Sequence, residues 1–176
     1  FLTALLLACS SAPALAQGAQ PRVETERDVV YGQGAGEALH LDLARPTGAG
    51  PFPAVVAIHG GSWRSGNKAM FRPLLDRLAA RGFVAITIQY RLAPRHRWPA
   101  QLEDAKCAVR WLRANAQRLR VDPERIGAVG FSAGAHLALL LRYTYYGRRT
   151  WRRCSGTLTM AGAPGAAAQV AAAPAR

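Results

Sequence analysis

Arg125-Ile126-Gly127-Ala128-Val129-Gly130-Phe131, followed at once by Ser132-Ala133-Gly134-Ala135-His136-Leu137-Ala138-Leu139-Leu140-Leu141, is the stretch that decides the fold of this chain. After its opening Arg the first part is a continuous apolar and glycine run, the pattern of a strand buried on both faces of a parallel sheet. Ala and Leu dominate the second part, which predicts a helix over 133–141. Strand passes into helix through a single turn, Gly130-Phe131-Ser132-Ala133-Gly134. Upstream the same alternation recurs. Phe52-Pro53-Ala54-Val55-Val56-Ala57-Ile58 predicts a buried strand after a Pro/Gly break, and Phe83-Val84-Ala85-Ile86-Thr87-Ile88 predicts another. Residues 69–81 predict a helix with Leu74, Leu75 and Leu78 on one face and Gly82 as its stop. Leu102, Ala105, Val109, Leu112, Ala116 and Leu119 recur every three or four residues, with Arg110, Arg113 and Arg120 on the opposite face of that helix. Strands alternating with helices require right-handed crossovers and helices on both faces. The predicted class is therefore α/β, a three-layer sandwich around a mostly parallel central sheet.

Around this centre the reading is less regular. Arg27-Asp28-Val29-Val30-Tyr31 and Leu39-His40-Leu41-Asp42-Leu43 predict two strands about the turn at 32–36, the second a half-solvated edge strand by its alternation. Residues 17–26 read as a linker. Residues 1–16 read as an export signal: Phe1 to Cys9 is an apolar run, and Ala14-Leu15-Ala16 supplies the small residues a signal peptidase takes. Leu6-Leu7-Ala8-Cys9 also has the form of a lipobox, with Cys9 as the lipidated residue. The run is shorter than the ~20 apolar residues a membrane span needs, so no stable span is expected, and the protein is expected to be periplasmic or secreted. Cys107 and Cys154 carry no framework signature, and no CxxC or His/Cys cluster suggests a metal. Ser155 to Met160 predicts one more strand, the last of a partial α/β domain over 27–160. Residues 161–176 are almost pure Ala, Gly and Pro and are left without a fold.

Two turns carry the chemistry. In Gly130-Phe131-Ser132-Ala133-Gly134 the flanking glycines remove Cβ atoms from a tight turn that lifts Ser132 above the sheet. The helix that follows points free N–H groups at any oxyanion forming there. His59-Gly60-Gly61-Ser62-Trp63 closes the strand 52–58, and its Gly-Gly turn leaves backbone N–H groups unobstructed, as acyl transfer requires of its donors.

These turns, together with Tyr90-Arg91-Leu92-Ala93-Pro94, Trp98-Pro99-Ala100-Gln101 with Glu103-Asp104, Ala108 to Ala116, Asp122-Pro123-Glu124-Arg125-Ile126 and Ala135-His136-Leu137-Ala138, make the chain resemble the α/β-hydrolase superfamily. The resemblance is to HGG-type serine esterases and lipases, in the acetylxylan/feruloyl-esterase-like or hormone-sensitive-lipase-like branch, and it runs over 52–141. It implies that Ser132 is the nucleophile and that the oxyanion hole is built from the N–H of Ala133 and those of Gly60, Gly61 or Ser62. It implies a small-molecule or polysaccharide-linked ester as substrate, with acetyl and feruloyl esters as the examples, and neither cofactor nor metal.

In that family an acid and then a histidine follow the serine. Here no Asp or Glu follows Glu124, and the only histidine after Ser132 is His136, one helical turn on. His136 is expected to belong to the helix rather than to the site, while His40 and His96 lie upstream. The triad is thus incomplete within the chain, which reads as a fragment cut before its last strands or as a frame shifted after about Leu141, and as inactive by itself. A non-catalytic binding module of the same fold is the alternative. With 23 Lys and Arg against 10 Asp and Glu the net charge is +13, and Arg142, Arg148, Arg149, Arg152 and Arg153 are interleaved with Tyr143, Tyr145, Tyr146 and Trp151. Such a segment suits an anionic surface, but no nucleic-acid-binding motif accompanies it, so nucleic acid is not expected as a partner.

Overall fold

Residues 54–58 and 84–88 send alternate side chains to opposite faces of one sheet, and both faces are covered. A computed structural model shows this arrangement and describes residues 22–145. Its strands are β1 (Val23–Gly34), β2 (Glu37–Pro46), β3 (Phe52–Ile58), β4 (Val84–Ile88) and β5 (Val121–Gly130). They lie side by side in the order β1-β2-β4-β3-β5. β4, β3 and β5 run parallel, with Ile58 level with Ile88 on one side and Gly130 on the other. The β1–β2 hairpin joins antiparallel, β2 pairing with β4. The described sheet is thus mixed, and it is parallel where the two Gly-rich turns leave it.

The helices are α1 (Arg72–Ala79), α2 (Ala100–Ala114), α3 (Ala116–Leu119) and α4 (Ala133–Tyr145). The two faces of the sheet carry side chains of different size. Leu41, Leu43, Val56, Ile58, Ile86 and Ile88 pack against Leu102, Val109 and Leu112 of α2 and Leu137 of α4. On the other face Ala44, Ala57 and Ala85 form a shallow floor under Leu75 and Ala79 of α1. That second face also buries Asp42, which is fully enclosed. Its carboxylate accepts from Lys68 Nζ at 2.6 Å, Arg72 Nε at 2.7 Å and the Asp28 N–H at 3.0 Å. These donors hold the Asp42 carboxyl below its ordinary range although burial pushes it up. A buried carboxylate is tolerable only with such a complete set of partners.

Several expectations change. β1 begins at Val23, within the segment read as a linker, because Val23 to Glu26 pair with Pro46 back to Leu43 of β2. β2 is an interior strand rather than an edge: its alternation arises from His40 and Asp42, and Asp42 is buried through its cations. Over 69–81 the chain forms a 3-10 turn, Lys68–Phe71, before α1. The helix expected across 102–119 breaks at Asn115, whose side-chain amide donates to the Trp111 carbonyl at 2.9 Å and caps α2. β5 is largely exposed, not buried, since among the described residues it is the edge of the sheet and pairs only with β3. Val129 and Phe131 are 38% and 66% exposed in consequence. The strand expected over 155–160, the tail 161–176, the export signal 1–16, Cys9, Cys154 and Arg148 to Arg153 lie outside the described residues. No described helix is long and apolar enough to cross a membrane.

Candidate active site

β3 and β5 are neighbours and run parallel, so both Gly-rich turns leave the sheet at its carboxyl edge, side by side. Ligand sites of open α/β sheets form at that edge. From Gly130 the chain turns through Phe131 and Ser132 into α4, with the Gly134 N–H donating to the Phe131 carbonyl at 2.9 Å and the His136 N–H to the Ser132 carbonyl at 3.1 Å. Ser132 has φ 51°, the left-handed region. For a residue with a Cβ this costs about 1–3 kcal/mol and persists only where the surroundings impose it. The surroundings are tight. A Cβ on Gly134 would stand 2.6 Å from the His59 carbonyl oxygen and closer still to that of Ile58; one on Gly130 would run into the backbone of Gly134. The two glycines at the ends of the motif are therefore steric necessities, and the strand-to-helix turn is wedged against the end of β3.

Gly60 sits on the other side of Ser132: a Cβ built on it would lie 3.3 Å from the Ser132 Cβ. Gly61, Ser62 and Trp63 follow with φ of 110°, 51° and 60°, a second left-handed stretch. It is closed by the N–H groups of Arg64 and Ser65, which donate to the Gly61 carbonyl at 2.9 and 3.0 Å. Ala133 is the first residue of α4, where a helix leaves its N–H without an intrahelical acceptor. Ser132, Gly60, Gly61, Ser62 and Ala133, the five residues singled out in the sequence, are thus brought together at one sheet edge.

Beside them lies a cleft of about 490 Å³, lined by Ser62, Trp63, Arg64, Trp98, Gln101 and His136, with Ala93 and Pro94 at its wall. The Trp63 and His136 rings meet edge to face at 5.4 Å, and Trp98 lies 6.3 Å from His136. His136 therefore faces the cleft and is not a mere helix residue, because one turn beyond Ser132 carries a side chain back over the N-terminal end of α4. The wall is held from behind by Arg91. Its Nε and Nη2 donate to both oxygens of Asp104 at 2.7–3.0 Å, and its own N–H to Asp104 Oδ2 at 2.8 Å. Asp104 is nearly fully buried, which pushes its carboxyl up against the pull of Arg91.

Two of the other histidines are committed. His59 is fully buried, stacks on Tyr90 at 4.2 Å and hydrogen-bonds the Gly60 carbonyl through Nδ1 at 2.8 Å. Desolvation holds its pKa below the usual histidine value. His96 Nε2 meets Glu37 Oε2 at 3.2 Å, tying the β1–β2 turn to the loop before α2. No base is in place for Ser132 among these, and among the described residues no cluster could hold a metal. The sequence reading missed Tyr90 and Asp104 as parts of the site. Tyr90 lies two residues past the end of β4, and only the β4–β3 pairing reveals that it stands beside His59.

The BD-FAE family model matches residues 41–161. The esterase LipC of Mycobacterium tuberculosis is 38% identical over 119 residues, which are 67% of this chain and 30% of LipC. The probable carboxylic ester hydrolase LipM of the same organism is 38% identical over 121 residues, 66% of this chain and 28% of LipM. The chain thus spans under a third of the length of these curated relatives. Among solved structures it is similar to the thermophilic esterase Est2 of the planctomycete Thermogutta terrifontis with butyrate bound, at TM-score 0.58 and 38% identity over 68% of this chain and 43% of Est2.

Proposed function

The chain belongs to the BD-FAE family and has the α/β-hydrolase fold, and from that premise we propose that the intact protein hydrolyses carboxylic esters with Ser132 as nucleophile. The observation that carries this reading is the left-handed Ser132 wedged between Gly60 and the start of α4. Strain of that kind has no use in a plain connection. The Ser132 Oγ attacks the ester carbonyl; its proton leaves to a base, and the carbonyl oxygen becomes an oxyanion. The N–H of Ala133, with those of Gly60, Gly61 or Ser62, stabilises that charge, and the dipole of α4 adds to it. Collapse expels the alcohol with a proton and leaves an acyl-serine, which water cleaves to the acid. LipC and LipM are named as ester hydrolases, and Est2 was solved with butyrate, the acid product of such a cleavage; these support the reaction class. The aromatic cleft accepts an ester of small-molecule size, free or on a polysaccharide.

Intact protein should turn over a short p-nitrophenyl ester and be labelled by a fluorophosphonate at Ser132. Ser132→Ala should lose the label and about six orders of magnitude in turnover, the loss seen when a serine-hydrolase nucleophile is removed. Retained turnover refutes the assignment. Residues 1–176 alone supply Ser132 with no carboxylate and only a cleft-wall histidine downstream. Their turnover should stay far below an ordinary enzyme's roughly 1–10³ per second, at most the about 10³–10⁴ over water that an oxyanion hole gives without its triad. Export follows from 1–16: processed protein should begin at Gln17, and a cytoplasmic, unprocessed product would refute it.

A further inference from the structure

We propose that Tyr90 and His59 are positioning residues, a buried brace that sets the angle of the Gly60 and Gly61 N–H groups from the side opposite Ser132. The inference rests on the ester-hydrolysis reading and assigns two side chains that touch no substrate.

A trans peptide unit is planar, with its C=O and N–H pointing in opposite directions. Holding the carbonyl of residue 59 therefore aims the N–H of Gly60, and holding the carbonyl of Gly60 aims the N–H of Gly61. Both carbonyls are held. Tyr90 Oη donates to the His59 carbonyl at 2.9 Å and stands 3.5 Å from that of Gly60. His59 Nδ1 bonds the Gly60 carbonyl at 2.8 Å, and because a carbonyl only accepts, Nδ1 carries the proton. The rings are stacked within 13° of parallel, so neither can swing without the other. Among the described residues His59 Nε2 is buried with no hydrogen-bond partner, so Nδ1 makes the one hydrogen bond of this ring described. Burial pushes the Tyr90 hydroxyl up to about 12, so it stays a donor wherever an esterase works. Space for the brace comes from Gly66, at φ 94°: a Cβ there would stand 2.6 Å from the Gly60 carbonyl oxygen and 2.7 Å from His59 Nδ1. A core that needed only filling would accept Phe and Leu at these two positions. Two donors converging on consecutive carbonyls are a requirement of orientation.

The test uses intact protein. Tyr90→Phe keeps the ring, the stack and the packing but removes one donor. Removing an oxyanion-hole donor outright costs about 10²–10³ in kcat; tilting two should cost about tenfold, with KM within twofold and the unfolding midpoint close to wild type. His59→Ala should lose about a hundredfold in kcat, and His59→Asn, whose amide can replace Nδ1–H, should recover most of it. Equal kcat in wild type and Tyr90→Phe, or a loss in KM alone, overturns the brace. A second readout needs no ester. The backbone order parameters of Gly60 and Gly61 should fall from the rigid range near 0.85 towards 0.6 in Tyr90→Phe; unchanged values overturn the brace even where esterase activity is present. Wild type that turns over no ester overturns the functional reading instead, and does so before any variant is made.

Discussion

Asp104→Ala should cost the intact protein roughly 3 kcal/mol of stability, the lower end of the range for a broken buried pair. Asp104 is 2% exposed and the Arg91 side chain 12%. The two residues are joined by hydrogen bonds of 2.7 to 3.0 Å, from the guanidinium and from the Arg91 N–H. Removing one partner of a buried ion pair typically costs about 3–5 kcal/mol, because the remaining charge is left uncompensated. Arg91 retains the Ala100 carbonyl at 3.4 Å and Glu103 at 3.5 Å, which places the cost at the lower end. For a domain of this size about 3 kcal/mol shifts the melting temperature by roughly 6–12 °C. Urea unfolding followed by circular dichroism measures the free energy, and the Arg91→Met/Asp104→Leu double variant completes the cycle. Two well-packed apolar residues of similar volume often match or exceed a buried pair, so the double variant should recover most of the loss. A single variant within about 0.5 kcal/mol of wild type, or a double variant no better than the single, refutes the argument that paired burial holds this loop.

Gly134→Ala should abolish the esterase activity while leaving the protein at least partly folded, because its Cβ meets the Ile58 and His59 carbonyls; turnover within tenfold of wild type would contradict the wedged geometry. His136→Ala should change KM more than kcat, as a cleft wall does; a loss above about 10³ in kcat, within the 10²–10⁴ that a general base contributes, would make His136 the base instead. The depressed pKa of buried His59 means that the unfolded chain binds its proton more readily. Stability should thus fall as pH drops below the unfolded histidine value of about 6.5 and level off only beneath the folded one. His59→Asn should flatten that slope in thermal melts between about pH 7 and 5; parallel slopes would show that His59 is not its source.

The strands at 52–58 and 84–88 were legible because each is buried on both faces, and a continuous apolar run of strand length set off by Pro and Gly suits little else. The candidate site was legible for a related reason. Gly134 and Gly130 are fixed by backbone contacts, and contacts of that kind leave a trace in the sequence whatever surrounds them. Asp42 misled because polarity along a strand normally means solvent, whereas its three donors come from residues 28, 68 and 72. β5 misled in the opposite sense: its composition reports neighbours on both sides, and the described residues supply one. Tyr90 and Asp104 were not legible at all as site residues. Their role depends on which strands lie adjacent, and on a carbonyl and a guanidinium that a sequence does not show.

Ile58 lies level with Gly130 in a parallel ladder, so the serine and the Gly60 turn are aligned by main-chain pairing rather than by any side chain. A slip of one residue between β3 and β5 would carry one past the other by about 3.3 Å and turn every β3 side chain to the wrong face. The spacing is digital: it is right or it is lost, and drift between these limits has no structural route. The β1–β2 hairpin stands two strands away, beyond β4. Its exposed Ala35-Gly36 turn can accordingly be lengthened, or can carry a tag or a fused module, without altering the alignment of the two turns on which hydrolysis depends.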